Sequence, residues 1–196
     1  MSLKSSLFAL SGLLFAQTAA LAGIDMGTPA GYTPYDRYMS PVKQVIGSLN
    51  GQTTDFKRVQ SLLNEGRSFR YSFTDPYTAA TPDVTARTHT GDCKAKSLWL
   101  MDQLGDANMR YVIGKARATS KISHAWVMWN DGSAWWILDP TNANHPILAE
   151  GISQSEYIPQ YSWAKSGSYR HRATSVNVAA VAAKGKRAPV ATAERR

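Results

Sequence analysis

The chain has 196 residues, 43% of them hydrophobic, and a formal net charge of +8. The positive charge is concentrated at one end, because residues 165–196 carry eight Lys/Arg and one Glu, whereas residues 23–164 carry 13 Lys/Arg and 13 Asp/Glu. A nucleic-acid-binding domain places its basic residues on a folded surface, so the neutral central part argues against a nucleic-acid partner. With one cysteine and four scattered histidines, the sequence excludes an internal disulfide and gives no support to a thiolate zinc site.

The first 22 residues have the pattern of a secretory signal peptide. Lys4 precedes an apolar run from Leu7 to Ala16, and the small-residue cleavage motif Ala20-Leu21-Ala22 follows. The apolar run is shorter than the roughly 20 residues that a membrane-spanning helix needs. We therefore predict a secreted or periplasmic protein that begins near Gly23 and has no membrane span after signal removal.

The part of the chain from 23 to 164 is long enough for one domain with a substantial core. The spacing of apolar residues predicts one helix over 41–49 and a second over 54–66. Thr54 is the predicted N-cap of the second helix, and Gly66 is its predicted end.

An alternating segment follows these helices. Phe69, Tyr71 and Phe73 alternate with Arg70 and Ser72, which is typical of a short strand. These aromatic side chains are predicted to pack in the core and not to form a binding surface. A short helix is then predicted over 82–87, because a proline at the first helical position is favourable.

The only cysteine lies at the predicted start of a buried helix. Gly91 favours a turn, Asp92 is a favoured N-cap residue, and 98–101 is apolar on every side of one helical turn. The free N–H groups and the dipole at a helix start favour a thiolate. Cys93 is therefore a candidate nucleophile, although a lone cysteine is also commonly a small buried hydrophobic residue.

A predicted hairpin follows the cysteine helix and supplies two more candidate residues. If Asp131 and Gly132 are the two loop residues, His124 lies directly opposite Asp139 and both side chains share one face of the sheet. Both faces of the hairpin are largely apolar, so each needs a cover. We predict that the helix after Cys93 packs on the His124 face, which would bring a nucleophile, a base and an orienting carboxylate together.

These motifs resemble the transglutaminase-like cysteine peptidase superfamily, and most nearly its bacterial branch of transglutaminase-like cysteine proteinases. The resemblance implies an α+β fold with a papain-like or transglutaminase-like core, in which the catalytic helix packs on an antiparallel sheet. It also implies a catalytic triad of Cys93, His124 and Asp139. The motifs that carry the resemblance are Thr81-Pro82, Gly91-Asp92-Cys93, Ser123-His124-Ala125-Trp126-Val127 and Ile137-Leu138-Asp139-Pro140-Thr141.

The chain departs from that bacterial branch directly after the cysteine. Lys94-Ala95-Lys96 stands where the branch usually carries an acidic pair. For the oxyanion hole, the backbone N–H of Cys93 is one expected donor. A second donor is expected from a preceding side chain, for which Arg87, Thr88 and His89 are the candidates.

Together these observations predict an exported thiol enzyme that cleaves or transfers at peptide or carboxamide bonds. A cysteine peptidase acting on a protein or peptide is the preferred interpretation, without cofactor or metal. An amine-transferring transglutaminase and a catalytically silent transglutaminase-like binding domain are the alternatives. The domain is predicted to span 23–164, and the basic segment 165–196 is predicted to be a disordered tail.

Overall fold

The structure, a computed structural model, describes residues 25–51 and 55–172. The predicted signal peptide, the start at Gly23, the cap Thr54 and the tail beyond 172 lie outside the described residues. Within these ranges the helices are α1 Ser40–Ser48, α2 Phe56–Ser68, α3 Pro82–Thr88 and α4 Cys93–Leu104. The strands are β1 Thr28–Pro29, β2 Arg70–Tyr71, β3 Thr90–Gly91, β4 Met109–Arg117, β5 His124–Asn130, β6 Trp135–Leu138, β7 Ile147–Leu148, β8 Glu156–Ala164 and β9 Gly167–Arg170.

Seven of the strands form one antiparallel sheet in the order β1-β9-β8-β4-β5-β6-β7. A separate parallel pair, β2 and β3, lies just before α4. The most fully buried helix, α4, packs against β5 of the large sheet, and α1, α2 and α3 pack around α4. The predicted α+β class, with the cysteine helix on an antiparallel sheet, is therefore confirmed.

Helix α2 differs from its prediction at both ends. Its N-cap is Asp55, whose carboxylate accepts a hydrogen bond from the N–H of Arg58 at 2.9 Å. The helix also continues past Gly66, so the prediction that this glycine ends it is wrong. A Cβ atom at Gly66 would lie 2.8 Å from the ring of Trp99 on α4. The glycine is needed there because the two helices approach closely.

The covered face of the sheet is the opposite of the predicted one. Helix α4 packs on the side chains of Val127 and Trp129 of β5, and the hydroxyl of Ser97 donates to the carbonyl of Ala125 at 3.1 Å. The face that carries Trp126 holds a smaller, separate apolar cluster. Because both faces of this hairpin are apolar, the pattern could not distinguish them.

The hairpin register is also shifted from the predicted one. Val127 pairs with Leu138 and Asn130 with Trp135, so the loop contains four residues, 131–134. Direct opposition of His124 and Asp139 is therefore wrong. The shift is two residues, however, and a two-residue shift returns every side chain to its original face. The predicted shared face is thus preserved, with the two residues as diagonal neighbours.

The larger loop is stabilised by the side chain of Asp131. Its carboxylate accepts hydrogen bonds from the N–H groups of Ser133 at 2.7 Å and Ala134 at 2.8 Å, and from the indole of Trp136 at 2.8 Å. These bonds hold the pKa of Asp131 well below its usual range, the backbone bond to Ala134 contributing most. Gly132 supplies the positive φ, +95°, that this loop requires.

The aromatic residues before the cysteine do not all enter the core. Phe69 is buried at 5% exposure, whereas Tyr71 and Phe73 are 52% and 63% exposed. The strand β2 has only two residues and pairs with β3, apart from the seven-stranded sheet. The prediction that these residues are all core packing is therefore wrong for Tyr71 and Phe73.

The folded domain also extends beyond the predicted boundary at 164. The segment Gly167–Arg170 forms β9, which pairs with β8 on one side and β1 on the other. After it, His171 is buried and its ring hydrogen-bonds the hydroxyl of Ser162 at 2.8 Å. The average composition of the basic segment concealed this strand, so its predicted disorder is wrong up to Arg172.

Candidate active site

The predicted nucleophile lies at the first position of α4. Asp92 is the N-cap, and its carboxylate accepts hydrogen bonds from the N–H groups of Lys94 at 3.0 Å and Ala95 at 3.2 Å. The ammonium of Lys94 lies 2.5 Å from the second oxygen of that carboxylate. A side-chain cap satisfies N–H groups that the helix itself cannot. Cys93 is therefore held on a helix start whose direction is fixed by Asp92.

A second lysine fixes the same turn from the other side. Lys96 is 3% exposed, and its ammonium donates to the carbonyl oxygens of Phe69 at 2.5 Å and Arg67 at 3.5 Å. Burial, with a smaller effect of Arg67, lowers the pKa of Lys96. The two lysines that replace the expected acidic pair are thus structural contacts of the helix start.

The other two candidates, His124 and Asp139, are in direct contact. The Nε2 atom of His124 lies 2.7 Å from Oδ2 of Asp139, and Asp139 is completely buried. The same carboxylate accepts the backbone N–H groups of Thr141 at 2.9 Å and Asn142 at 3.2 Å through Oδ1. A buried carboxylate with this many donors remains ionised and fixed in orientation.

Two further side chains on this carboxylate were missed by the sequence analysis. The hydroxyl of Tyr157 donates to Oδ2 of Asp139 at 2.9 Å, and the amide of Asn142 donates to the same oxygen at 3.0 Å. The amide nitrogen of Asn142 also lies 3.1 Å from Nε2 of His124. Asn142 follows Asp139 by three residues in a turn, which is a recognisable signal, whereas Tyr157 comes from β8 and has no local one.

The charges of this cluster act on one another. Burial alone lowers the pKa of His124, but its hydrogen bond to Asp139 and the neighbouring thiol of Cys93 reverse this effect and raise it to about 9. Burial favours the neutral form of Asp139, yet the bond from His124 brings the pKa of that carboxyl below its usual value. The pair therefore favours an imidazolium next to a carboxylate.

Cys93 and His124 meet in one cavity of about 270 Å³. Cys93 reaches it from the start of α4, and His124 is the first residue of β5, so the two meet at the end of the strand. The cavity is lined by Tyr35, Tyr71, Phe73, Pro76, Tyr77, Cys93, Lys94, Ile113, Ile122, Ser123, His124 and Ala125. The structure thus brings the three predicted residues into one cluster, and their catalytic role stays a prediction.

The three candidates for a second oxyanion donor have other partners. Arg87 pairs with Asp83 at 2.9 Å, Thr88 donates to the carbonyl of Val84 at 2.9 Å, and His89 stacks on a neighbouring phenylalanine ring at 5.0 Å. None of the three lines the cavity of Cys93. Tyr71, by contrast, lines that cavity, and burial together with the nearby Cys93 raises its pKa.

Residues 25–51 and 55–172 contain neither a metal-binding cluster nor a membrane-spanning helix. No group of three or more His, Cys, Asp or Glu residues is arranged to hold a metal ion in these ranges. No helix in the same ranges combines the length and the hydropathy that a membrane span requires.

Comparison with known proteins gives only distant similarities. No family model and no curated protein matches the chain. Calcium-bound LapG of Legionella pneumophila is 18% identical, with a TM-score of 0.49 over 71% of this chain and 81% of LapG. A second LapG structure is 17% identical, with a TM-score of 0.47 over 78% of this chain and 88% of LapG. A candidate cysteine protease from Cytophaga hutchinsonii is 18% identical, with a TM-score of 0.39 over 62% of this chain and 44% of its own.

Proposed function

We propose that this protein is a transglutaminase-like cysteine peptidase with Cys93 as nucleophile, His124 as base and acid, and Asp139 as the orienting carboxylate. The observation that carries the proposal is the 2.7 Å contact between His124 and the buried Asp139, at the cavity that also contains Cys93. A nucleophile, a base and a group that orients the base are the components of this chemistry. An isolated buried cysteine would have no need of the second and third.

The roles of the two ring nitrogens follow from the contact with Asp139. Because Nε2 of His124 donates its proton to the carboxylate, Nδ1 is the nitrogen left for the thiol. Transfer of the thiol proton to Nδ1 gives a thiolate and an imidazolium, which the carboxylate of Asp139 stabilises. The pKa of His124, raised to about 9, supports this ion pair at neutral pH.

Catalysis then proceeds in two stages. Sγ of Cys93 attacks the substrate carbonyl carbon, and the backbone N–H of Cys93 stabilises the oxyanion. When the C–N bond breaks, the imidazolium of His124 gives its proton to the leaving amine, and a thioester remains. Water attacks the thioester, His124 accepts the water proton, and release of the carboxylic acid restores the thiol and the imidazole.

The first test is cleavage of a peptide library by the recombinant protein from 23 to 196, with products identified by mass spectrometry. We expect Cys93→Ser to lower the cleavage rate at least about 10³-fold and to leave the circular dichroism spectrum unchanged. Equal cleavage by the native protein and Cys93→Ser would exclude the proposal. A second readout needs no substrate. It is the rate at which iodoacetamide alkylates Cys93, compared between the native protein and His124→Gln.

Two further measurements on the same protein distinguish the two alternative functions. An amine-transferring enzyme would incorporate a biotin-labelled alkylamine into glutamine-containing peptides in a Cys93-dependent reaction. A catalytically silent binding domain would alkylate at the same rate as His124→Gln and would cleave nothing. We propose hydrolysis as the main reaction, since water is always available to the thioester.

We further propose that the enzyme is exported and acts in the periplasm or outside the cell. This rests on the sequence pattern of Lys4, the apolar run and the motif Ala20-Leu21-Ala22. The test is N-terminal sequencing of the protein recovered from the producing cell. We expect it to start at Gly23, and recovery of residues 1–22 on a membrane-embedded form would refute export in this way.

A further inference from the structure

The exposed apolar side chains of this protein are concentrated at one place. Among residues 25–51 and 55–172, eight large hydrophobic side chains are exposed: Tyr32, Phe56, Tyr71, Phe73, Tyr77, Val84, Ile122 and Leu148. Four of them, Tyr71, Phe73, Tyr77 and Ile122, line the cavity that contains Cys93 and His124. Exposed apolar side chains that occur singly need no explanation, whereas a contiguous group indicates a binding surface.

One wall of the cavity is aromatic and is formed by Tyr71, Phe73, Pro76 and Tyr77, and contacts within the protein hold it in place. The carboxylate of Asp75 accepts the N–H groups of Tyr77 at 2.6 Å and Thr78 at 2.5 Å. The ring of Tyr77 stacks on that of Tyr38, with centroids 4.6 Å apart and an angle of 16° between planes. These contacts fix Tyr77 at the cavity without covering it.

The remaining ring of this wall is fixed by a lysine. The ammonium of Lys94 lies 5.1 Å from the centre of the Phe73 ring, within the range of a cation–π contact. Lys94 therefore joins the helix start that carries Cys93 to the aromatic wall beside it. The wall and the helix start that carries Cys93 are thus connected through the side chain of Lys94.

The opposite wall is the segment that leads into β5. Ile122 is 77% exposed and stands two residues before His124, so its side chain flanks the base. The buried residues Ile113 and Ala125 complete the apolar lining. Ile122 and the aromatic wall therefore line the same cavity as Cys93.

The charges at the cavity select against one class of side chain. No carboxylate is among the described residues that line it, and its two cationic groups are Lys94 and His124. The charge of Lys94 is compensated by Asp92, outside the lining. A substrate lysine or arginine would enter a site whose two negative groups, the proposed Cys93 thiolate and the Asp92 carboxylate, are already paired with His124 and Lys94. It would lose its hydration without gaining a free counter-charge, which is unfavourable.

We propose that this cleft recognises a polypeptide through an uncharged aromatic or branched aliphatic side chain on the acyl side of the scissile bond. Tyr71, Phe73, Tyr77 and Ile122 are its specificity-determining residues. A volume of about 270 Å³ suits one such side chain with its backbone, and not a larger ligand. The proposal rests on the function proposed above, since it assigns the substrate class of the same site.

The test uses peptidyl chloromethyl ketones, which alkylate the thiol of Cys93. Their alkylation rate depends on how well the peptide part binds in the cleft. The probes are acetyl dipeptides with Phe, Leu or Lys at either of the two positions before the ketone, and iodoacetamide serves as the small reference reagent. At one of the two positions, we expect the Phe and Leu probes to react at least about tenfold faster than the Lys probe.

Variants of the two walls assign the preference to the cleft. We expect Phe73→Ala and Ile122→Ser each to reduce the rate ratio of the Phe probe to iodoacetamide about tenfold. Tyr32→Ala is the matched control, since Tyr32 is 74% exposed but does not line the cleft, and it should keep the native ratio. All three positions are exposed, so the variants are expected to fold, which thermal unfolding would verify.

The results separate the two proposals. Equal rates for Phe and Lys probes at both positions, or a native rate ratio in both wall variants, would overturn the substrate assignment. Alkylation of the native protein by iodoacetamide at the same rate as His124→Gln would instead overturn the proposed catalytic role of Cys93, and the preference among the peptidyl probes would still be measurable.

Discussion

The two faces of the seven-stranded sheet are stabilised in different ways. The face under the helices carries a continuous core of 23 buried residues that includes Cys93. The other face carries a cluster of five, among them Trp126, and a cavity of about 430 Å³ that Trp126 and Tyr157 line. Dense packing thus positions Cys93, the proposed nucleophile, whereas hydrogen bonds from the more open face orient Asp139, the carboxylate that contacts His124.

The proposed active site lies between these two faces, at the first residue of β5. Cys93 comes from the helix side, Tyr157 from the open side, and His124 lies between them with its ring centroid 6.1 Å from that of Trp126. Changes on the helix face should therefore mainly affect stability, and changes on the open face should mainly affect catalysis. Four predictions test this difference, beginning with the largest expected effect.

The first prediction concerns the pH dependence of stability. The pKa of His124 is raised in the folded protein from its ordinary 6.5 to about 9, so the folded state binds the proton more tightly than the unfolded state. This stabilisation is fully present below pH 6.5 and is lost as the pH rises through about 9. We expect the native protein to lose up to about 3 kcal/mol of unfolding free energy across this window relative to His124→Gln.

Urea unfolding at several pH values measures this difference. The His124→Gln variant is the reference because it keeps every other titrating group of the chain. Parallel pH profiles for the two proteins between 6.5 and 9 would contradict a raised pKa of His124.

The second prediction is that Asp139→Asn removes activity without unfolding the domain. An amide can still accept the N–H groups of Thr141 and Asn142, but it does not stabilise the imidazolium of His124. Loss of the corresponding carboxylate in a serine protease lowers turnover about 10⁴-fold. Here we expect kcat/KM to fall only about 100-fold, because a thiolate already formed as an ion pair depends less on the orienting carboxylate. The kcat/KM on a cleaved peptide measures the effect, and a variant within a few-fold of native activity would contradict the role of Asp139.

The third prediction concerns the helix face. In Gly66→Ala, the new methyl group would lie 2.8 Å from the ring of Trp99, so the contact between α2 and α4 must open. We expect a loss of about 2 kcal/mol of unfolding free energy, with kcat/KM of the folded fraction within a few-fold of native.

Gly47→Ala is the matched control, because Gly47 also lies within a helix but has open space at its Cβ position. Alanine is the better helix former, so this control should be stabilised by roughly 0.5–1 kcal/mol. Stabilisation of Gly66→Ala by the same amount would show that the close contact of the two helices is not limiting.

The smallest effect is expected for Tyr157→Phe on the open face. The change removes one of the donors to Asp139 and leaves the His124 contact and the backbone donors in place. We expect a few-fold decrease in kcat/KM and a loss of about 1 kcal/mol of stability. Tyr169→Phe is the control, since it also removes a tyrosine hydroxyl from the sheet, in this case one that donates to Ser166. It should lower stability without lowering kcat/KM. Equal activity losses in both variants would assign Tyr157 a structural role only.

Local chemistry made part of this site predictable from the sequence. The Asp92 cap and the helix that begins at Cys93 depend on neighbouring residues, and both are confirmed. The shared face of His124 and Asp139 depends only on the parity of their positions along the hairpin, which is why it survived an error of two residues in register. Such features do not require knowledge of distant contacts.

The remaining features depend on contacts that local patterns do not contain. The register changed because Asp131 bonds three donors across its own loop, which a two-residue turn signal does not reveal. The sequence did not reveal which face of the hairpin α4 covers, because both faces are apolar and packing decides between them. Tyr157 reaches Asp139 from another strand. Phe73 follows the two-residue strand β2 and is exposed at the cavity of Cys93, which its alternation with polar residues does not reveal.

The burial of Lys96 makes this lysine a natural reporter of motion at the nucleophile. Its ammonium is covered by the carbonyls at the end of α2, so an amine-reactive reagent reaches it only when α2 and the start of α4 separate. Local opening of this kind occurs with its own free energy, below that of global unfolding. The acylation rate of Lys96, measured by mass spectrometry against the exposed lysines of the same molecule, therefore measures how often the first turn of α4 separates from α2.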